Sequence, residues 1–148
     1  MIPGSILEIR LTGGAGTDVA IEHIEVDVRF FCGGRERYRF TAGTTDVHGR
    51  IAASYDHFEN IRLENQRYAL MDYNTKLEDC DSEVVISVPT GAELEQRVEA
   101  LQQWYPDRAK EVQERLQNSR NGTVRATDVK VSLSSSGATS ATIACEKL

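Results

Sequence analysis

The chain has three histidines, and two of them stand beside other side chains that can bind a metal ion. His48 follows Asp46 by two residues, and His57 comes directly after Tyr55 and Asp56. Imidazole and carboxylate groups are ligands that zinc and related metals accept. The alternative is that His48 lies at the tip of a turn and His57 in a polar loop, with both rings in solvent. We favour this alternative and predict no metal site.

Four carboxylates lie close together in residues 78–83 and offer oxygen ligands for Ca²⁺. The segment lacks the glycine and the twelve-residue spacing of an EF-hand loop, which favours a solvated acidic loop. The chain also contains no G-x-S-x-G motif and no cysteine beside a histidine in sequence. We therefore predict no catalytic residue and no cofactor. The four acids are Glu78, Asp79, Asp81 and Glu83.

The strongest functional signal is the aromatic pair Trp104 and Tyr105, which Pro106 follows directly. Tryptophan and tyrosine dominate the energetic hot spots of protein interfaces. The pair lies midway along a segment with helical periodicity, so a helix could present it to a partner. The alternative, which we favour, is that both rings cover the open end of a two-sheet fold. We name Trp104 and Tyr105 as candidate partner-binding residues.

Three cysteines, Cys32, Cys80 and Cys145, are widely spaced and form no C-x-x-C motif. An odd count at such spacing is typical of reduced thiols in an intracellular chain. We expect three separate thiols, and one disulfide with one free cysteine is the alternative that the sequence leaves open.

Composition excludes several classes of protein. The 148 residues are 40% hydrophobic and 27% charged, as expected for one globular domain. A formal net charge of −6 argues against nucleic-acid binding, which depends on Lys and Arg at phosphates. No apolar run approaches the roughly 20 residues that span a bilayer. No secretory signal is visible, so we expect a cytoplasmic protein without membrane contact.

The first half of the chain alternates apolar and polar residues as β-strands do. Strands are predicted at residues 5–12, 21–32 and 35–42. Because Glu25 and Asp27 share one face of the second strand, we expect one of them to pair with an arginine of the third strand. Such a pair is expected to be exposed and to contribute little stability.

A polar turn follows at residues 44–50, where Asp46 can accept main-chain hydrogen bonds and Gly49 can take a positive φ. Beyond it we predict a strand at residues 50–55, a polar connection at 56–60 and another strand at 66–73.

After a buried strand at residues 83–88, the periodicity becomes helical. Thr90 and Glu93 have the spacing of a capping box, and Pro106 interrupts the apolar stripe. We predict two abutting helices, or one kinked helix, within residues 90–119, with Trp104 one position off the stripe and partly exposed. Residues 123–134 and 138–147 alternate again and are predicted to form strands. The stripe comprises Leu94, Val98, Leu101, Tyr105, Ala109, Val112 and Leu116.

The segment TTDVHGR, followed by FENIRLENQRYAL, resembles the transthyretin-like, or carboxypeptidase-regulatory-like, β-sandwich family. The resemblance covers roughly residues 5–88 and implies a Greek-key sandwich. Iron-binding members of that fold use a His-x-His pair, whereas His48 and His57 are nine residues apart, so their iron site is not implied. Thr44, Thr45, Asp46, Gly49 and Arg50 match the family's turn, and Leu63, Tyr68 and Leu70 match its strand entry.

Together these observations predict a mainly β fold, a transthyretin-like sandwich of seven to eight strands in a single domain, 1–148. It carries a helical insertion at 90–119 and a C-terminal hairpin at 122–147. We expect a non-catalytic protein-binding or assembly module that acts with a protein partner or as a homo-oligomer. The alternative is a small metal-dependent or hydrolase-like enzyme that uses loop histidines and aspartates.

Overall fold

Residues 1–14, 19–67 and 72–148 are described in the computed structural model of the chain. Within these ranges the backbone forms eight β-strands and three α-helices. The strands are β1 (Ile6–Gly13), β2 (Glu25–Cys32), β3 (Arg35–Thr44), β4 (Arg50–Ser54), β5 (Glu83–Ser87), β6 (Val124–Ala126), β7 (Val129–Ser132) and β8 (Ala138–Lys147). The helices are α1 (Tyr55–Arg67), α2 (Gly91–Trp104) and α3 (Pro106–Gln117).

The strands form two four-stranded sheets, in the orders β4-β1-β8-β6 and β3-β2-β5-β7. The pairing is antiparallel except between β1 and β8, which run parallel. The two sheets share one hydrophobic core, because alternate side chains of each sheet are buried in it. Leu7 and Ile9 supply the core from β1, and Val28 and Phe30 supply it from β2. The prediction of a sheet-rich fold is confirmed, whereas the prediction of mainly β structure holds only in part, because three helices are also present in the described ranges.

Helix α1 corrects our prediction of a polar connection at residues 56–60. Ser54 accepts the main-chain N–H of His57 at 3.2 Å and so satisfies one free donor at the beginning of the helix. Phe58 is buried against Phe30, with ring centroids 5.1 Å apart. Arg62, one turn later, is also buried, and this charge on the core face hides the helical periodicity. The strand predicted at residues 66–73 is wrong where it is described: residues 66–67 end α1, residues 72–73 are not in a strand, and residues 68–71 lie outside the described ranges.

The helices predicted within residues 90–119 are confirmed as α2 and α3. Thr90 accepts the N–H of Glu93 at 3.1 Å, as the capping spacing predicted. Pro106 begins α3. None of the helices in the described ranges is long and apolar enough to cross a membrane.

The segment predicted as a C-terminal hairpin, residues 122–147, is divided between the two sheets. β7 pairs with β5 in one sheet, and β8 pairs with β1 and β6 in the other. The chain changes sheets between Ala126 and Val129, where Asp128 accepts a hydrogen bond from Arg29 of β2 at 3.0 Å. Alternation predicts β8 correctly, but the single strand predicted at residues 123–134 is two strands, β6 and β7, in different sheets, so the predicted hairpin is wrong.

The turn at residues 46–49 forms as predicted. Asp46 Oδ1 accepts the N–H groups of His48 and Arg50 at 2.8 and 2.9 Å. These two donors, with the nearby positive charge, hold the pKa of the Asp46 carboxyl below its usual value. Gly49 has φ +71°, and a Cβ at this position would lie 2.5 Å from the carbonyl oxygen of Leu11. Glycine is required here by both the conformation and the close approach.

The expectation of three reduced thiols is wrong for two of them. Cys32 and Cys80 form a disulfide, and Cys145 is a buried free thiol, which was the alternative left open. Asp81 brings the two segments together, because its carboxylate accepts the N–H groups of Gly33 and Gly34 at 3.1 and 3.0 Å. The cysteines are 48 residues apart, so their spacing in the sequence gives no sign of the contact.

Candidate protein-binding site

A sharp corner joins α2 to α3 at Tyr105. Its φ of −142° and ψ of 72° lie outside the helical region, as expected for a residue before proline. Pro106 then begins α3, where a missing N–H leaves no helical hydrogen bond unmade. Main-chain hydrogen bonds continue through the corner. The N–H of Tyr105 donates to Leu101 at 2.6 Å, and its carbonyl accepts from Ala109 at 3.0 Å.

The corner presents Trp104 to solvent. Trp104 is the last residue of α2, and 59% of its surface is exposed, as we predicted from its position off the stripe. Tyr105, the second candidate residue, is half-buried. The two side chains are therefore adjacent at the corner but differ in accessibility, and the tryptophan is the one available to a partner.

The helices fold back on each other over the outer face of the β2–β3 sheet. Leu94, Val98 and Ala109 of the apolar stripe are buried, whereas the other stripe residues are only half-buried. A cavity of about 440 Å³ remains between the two helices, α1 and the sheet. Apolar packing thus holds the helix pair only in part. The half-buried stripe residues are Leu101, Tyr105, Val112 and Leu116.

Ion pairs between partly exposed arginines and buried carboxylates supply the rest of the attachment. Asp27 of β2 has no exposed surface, and its carboxylate accepts from Arg39 of β3 at 2.9 Å. Arg97 of α2 donates to both oxygens of the same carboxylate, at 3.2 and 2.5 Å. The predicted pairing of Asp27 with an arginine of the next strand is confirmed. Contrary to the expectation, the Asp27 carboxylate is buried, because α2 covers this face of the sheet, whereas 36% of the Arg39 side chain is exposed.

Glu25 makes a parallel connection to α3. Only 1% of its surface is exposed, and Arg115 lies 2.7 Å from one of its carboxylate oxygens. Burial raises the pKa of Glu25, and the charge of Arg115 opposes part of that rise. Neither carboxylate oxygen has a well-aligned hydrogen bond within the described residues. This carboxylate is therefore held mainly by charge attraction.

Asn121 follows α3 and links this segment to β2 and to the residues that follow β5. Its side-chain oxygen accepts the N–H of Glu25 at 2.8 Å, and its amide donates to the carbonyls of Glu25 and Pro89 at 2.9 Å each. From the sequence, Asn121-Gly122 predicts only the end of the helical part. The buried amide bridge depends on tertiary contacts that have no local signature.

Helix α1 contacts the helix pair near the corner. Both terminal nitrogens of Arg108 lie 3.3 Å from the side-chain oxygen of Asn65, and Glu64 is 3.9 Å from the same arginine. Within α1, Arg62 pairs with Glu59 and donates to the carbonyl of Tyr73 at 2.7 Å. The helix pair is thereby attached to α1 as well as to β2.

The three histidines lie in separate places. His48 is in the turn at residues 46–49, as expected. His57 lies in α1 and not in a loop, and its Nε2 is 3.0 Å from the carbonyl of Thr41. His23 precedes β2 with φ +61°. In the part of the chain that the structure describes, no three His, Cys, Asp or Glu side chains come together as metal ligands do.

The acidic residues at 78–83, like the histidines, have separate positions and roles. Asp79 ends a short 3₁₀ turn, Asp81 binds the β2–β3 turn, and Glu83 begins β5. Asp81 therefore has a structural role that sequence inspection did not find.

No protein-family model, curated protein or solved structure matches this chain. Two of the residues that match the transthyretin-like strand entry, Tyr68 and Leu70, lie outside the described ranges.

Proposed function

We propose that the chain is a non-catalytic protein-binding or assembly module whose contact with its partner is centred on Trp104. The observation that carries this proposal is the 59% exposure of Trp104 at the corner between two helices. A large aromatic ring fixed in solvent lowers the free energy of association when a partner buries it.

The size of this contribution follows from area. A tryptophan side chain buries up to about 250 Å², so the exposed part amounts to roughly 150 Å². At about 25 cal/mol per Å², its burial contributes about 4 kcal/mol before the entropic cost of association. A single residue then supplies a substantial part of the binding free energy of a micromolar complex. Tyr105 and the residues around the corner supply the rest.

The ion pairs beneath the helices support the proposal because they hold the corner before binding. Arg97 fixes α2 to Asp27, and Arg115 fixes α3 to Glu25. A contact residue that is already positioned loses less conformational entropy on association. The helix pair is held by ion pairs and lies beside a partly open cavity. Its surface at the corner is therefore suited to contact with a partner.

For the fold we propose a transthyretin-like Greek key. The Thr44–Arg50 segment forms the tight turn that the resemblance implies, with Asp46 and Gly49 in the expected places. Connections from β1 to β2 and from β3 to β4 cross between the sheets, as Greek-key connections do in two-sheet folds.

The disulfide weighs against the cytoplasmic location that the sequence favoured. Disulfides persist in oxidising compartments and are rare where thiol reductants are abundant. We therefore propose that the module works in an oxidising compartment. Mass spectrometry of the protein from its native source, alkylated before and after reduction, tests this, because full alkylation before reduction would contradict it.

Comparative capture tests the proposed contact. The wild-type chain and Trp104→Ala are used as matched baits, with Leu63→Ala as a control that also removes an exposed apolar side chain, 44% exposed, on α1. We expect one partner band that both wild type and Leu63→Ala retain and that Trp104→Ala loses. Equal recovery with all three baits would contradict the proposal.

A further inference from the structure

The outer edge of β8 is open over most of its length. β8 pairs with β1 along Ala138–Cys145, but on its other side β6 covers only Cys145–Lys147. Within the described ranges, no strand pairs with the outer edge of residues 138–143. An open edge is a template on which an extended chain can add as a further strand.

Main-chain geometry identifies the free groups. Gly137 and Cys145 direct their carbonyls to β1, where Ile6 and Gly14 donate to them. Because successive residues of a strand point their main-chain groups to opposite sides, the odd-numbered residues face β1 and the even-numbered residues face outward. Ser140 and Thr142 therefore present N–H and C=O groups along the open edge.

The sequence gives this edge none of the usual protection. Natural edge strands carry lysine, proline or an inward-pointing charge that prevents further pairing. Residues 138–143 read ATSATI and contain no charge and no proline. The hydroxyl of Ser140 is bonded to Glu8 on the neighbouring strand, which leaves its main-chain groups accessible.

An apolar opening lies beside the edge. Where β6 leaves β8 and the chain crosses to β7, Val129 and Val131 of β7 are only half-buried against the core. A cavity of about 780 Å³ begins at the end of this edge, where it is lined by Val129 of β7 and by residues 143–147 of β8. A strand added beside β8 would direct every second side chain toward this opening.

A second copy of this chain fits the edge poorly. The inward side chains of β8, such as Ile143, already lie in their own core, so a second copy would leave Val129 and Val131 uncovered.

We propose that the outer edge of β8, residues 138–143, accepts an extended segment of a partner protein that pairs with β8 and turns apolar side chains toward Val129. The segment is about six residues long, uncharged, and alternates apolar with polar residues. This interaction is separate from the contact at Trp104, so either proposal can fail without the other.

The test uses the whole chain and an acetylated, amidated heptapeptide that alternates threonine and valine. In antiparallel pairing, residues opposite each other direct their side chains to the same side and exchange main-chain hydrogen bonds, so threonines opposite Ser140 and Thr142 turn their amides toward β8. We expect amide exchange at Ser140 and Thr142, fast in the free protein, to slow at least tenfold on binding. Exchange at Thr139 and Ala141, which face β1, is slow in both states.

Two N-methylated peptides provide the matched control. Methylation of the threonine amides blocks the groups that face β8 and should abolish protection, whereas methylation of the valine amides leaves those groups intact. Thr142→Pro, which removes an outward N–H, should weaken peptide binding at least fivefold relative to Thr142→Val.

Three results would overturn the proposal. One is equal binding of both methylated peptides, and a second is the absence of protection at Ser140 and Thr142 with any peptide. The third is protection that rises with protein concentration in the absence of peptide, which would show a second copy on the edge. The peptide comparison decides the matter even if Thr142→Pro fails to fold.

Discussion

Arg97 donates to both carboxylate oxygens of Asp27, and Asp27 has no exposed surface. This contact joins the helix pair to the middle of the β2–β3 sheet. A buried carboxylate that loses a partner keeps its desolvation cost, so the contact fixes where α2 can lie. The placement of Trp104 at the end of the same helix depends on it.

We expect Arg97→Met to lower the free energy of unfolding by about 1–3 kcal/mol, the cost of losing hydrogen bonds to a charged group. Asp27 keeps Arg39, which limits the loss. Urea denaturation gives the value. Arg125→Met, which removes an exposed ion pair to Glu146, is the matched control and should cost less than about 1 kcal/mol. Equal losses in the two variants would show that the Asp27 pair is no stronger than a surface pair.

The buried carboxylate of Glu25 makes stability depend on pH. Burial raises its pKa above 4.5 in the folded chain, so the folded state binds this proton more tightly than the unfolded state does. Stability from this group is therefore fully present at low pH and is lost as pH rises from about 4.5 through the folded pKa. Glu25→Gln removes the dependence.

Urea denaturation at several pH values from 4.5 to 7 checks this prediction. The wild type should lose stability relative to Glu25→Gln as pH rises across this window. Glu146→Gln, which alters an exposed carboxylate, should follow the wild type. A wild-type advantage over Glu25→Gln that grows with pH would contradict the assignment.

The disulfide closes a segment of 48 residues. On the chain-entropy account, a loop of this length contributes about 4 kcal/mol, so Cys32→Ser with Cys80→Ser should lower the free energy of unfolding by about that amount. Denaturation with and without reductant measures the same quantity in the wild type. Alkylation of the unfolded, unreduced chain should label Cys145 alone. Labelling of all three cysteines without reductant would mean that the bond is absent.

Two glycines with similar φ allow the stability cost of the backbone conformation to be distinguished from the cost of a steric contact. Gly33 has φ +63° and open space at the position of a Cβ, so Gly33→Ala should cost about 1–2 kcal/mol. Gly49 has φ +71°, and a Cβ there would meet the Leu11 carbonyl, so Gly49→Ala should cost more. Thermal unfolding of both variants decides this. Equal costs would show that the backbone at residue 49 moves away freely.

Much of the fold was predictable because it follows from local patterns. Alternation predicts β1 to β3, and the Thr90–Glu93 spacing predicts the beginning of α2, since each depends on residues close in sequence. Helix α1 was missed because Arg62 stands on its buried face. In the folded chain that arginine pairs with the Glu59 carboxylate and donates a hydrogen bond to the carbonyl of Tyr73. Neither contact forms before the chain folds.

The candidate site was predictable only in part. The exposure of Trp104 follows from its position off the apolar stripe. The buried state of Asp27 and Glu25 does not follow, because alternation assigns both to an outward face and cannot show that a later helix pair covers it. The disulfide and the open edge of β8 likewise depend on contacts between distant segments.

The proposal of a protein-binding module is tested most directly by the fluorescence of Trp104, because the chain contains one tryptophan. In the free protein we expect strong quenching by acrylamide, since the ring is exposed. In the complex with the partner that comparative capture identifies, quenching should fall several-fold. Trp104→Ala should lose that partner, with unfolding free energy unchanged to within about 0.5 kcal/mol. Quenching that is equally strong in the complex, or already weak in the free chain, would contradict the account.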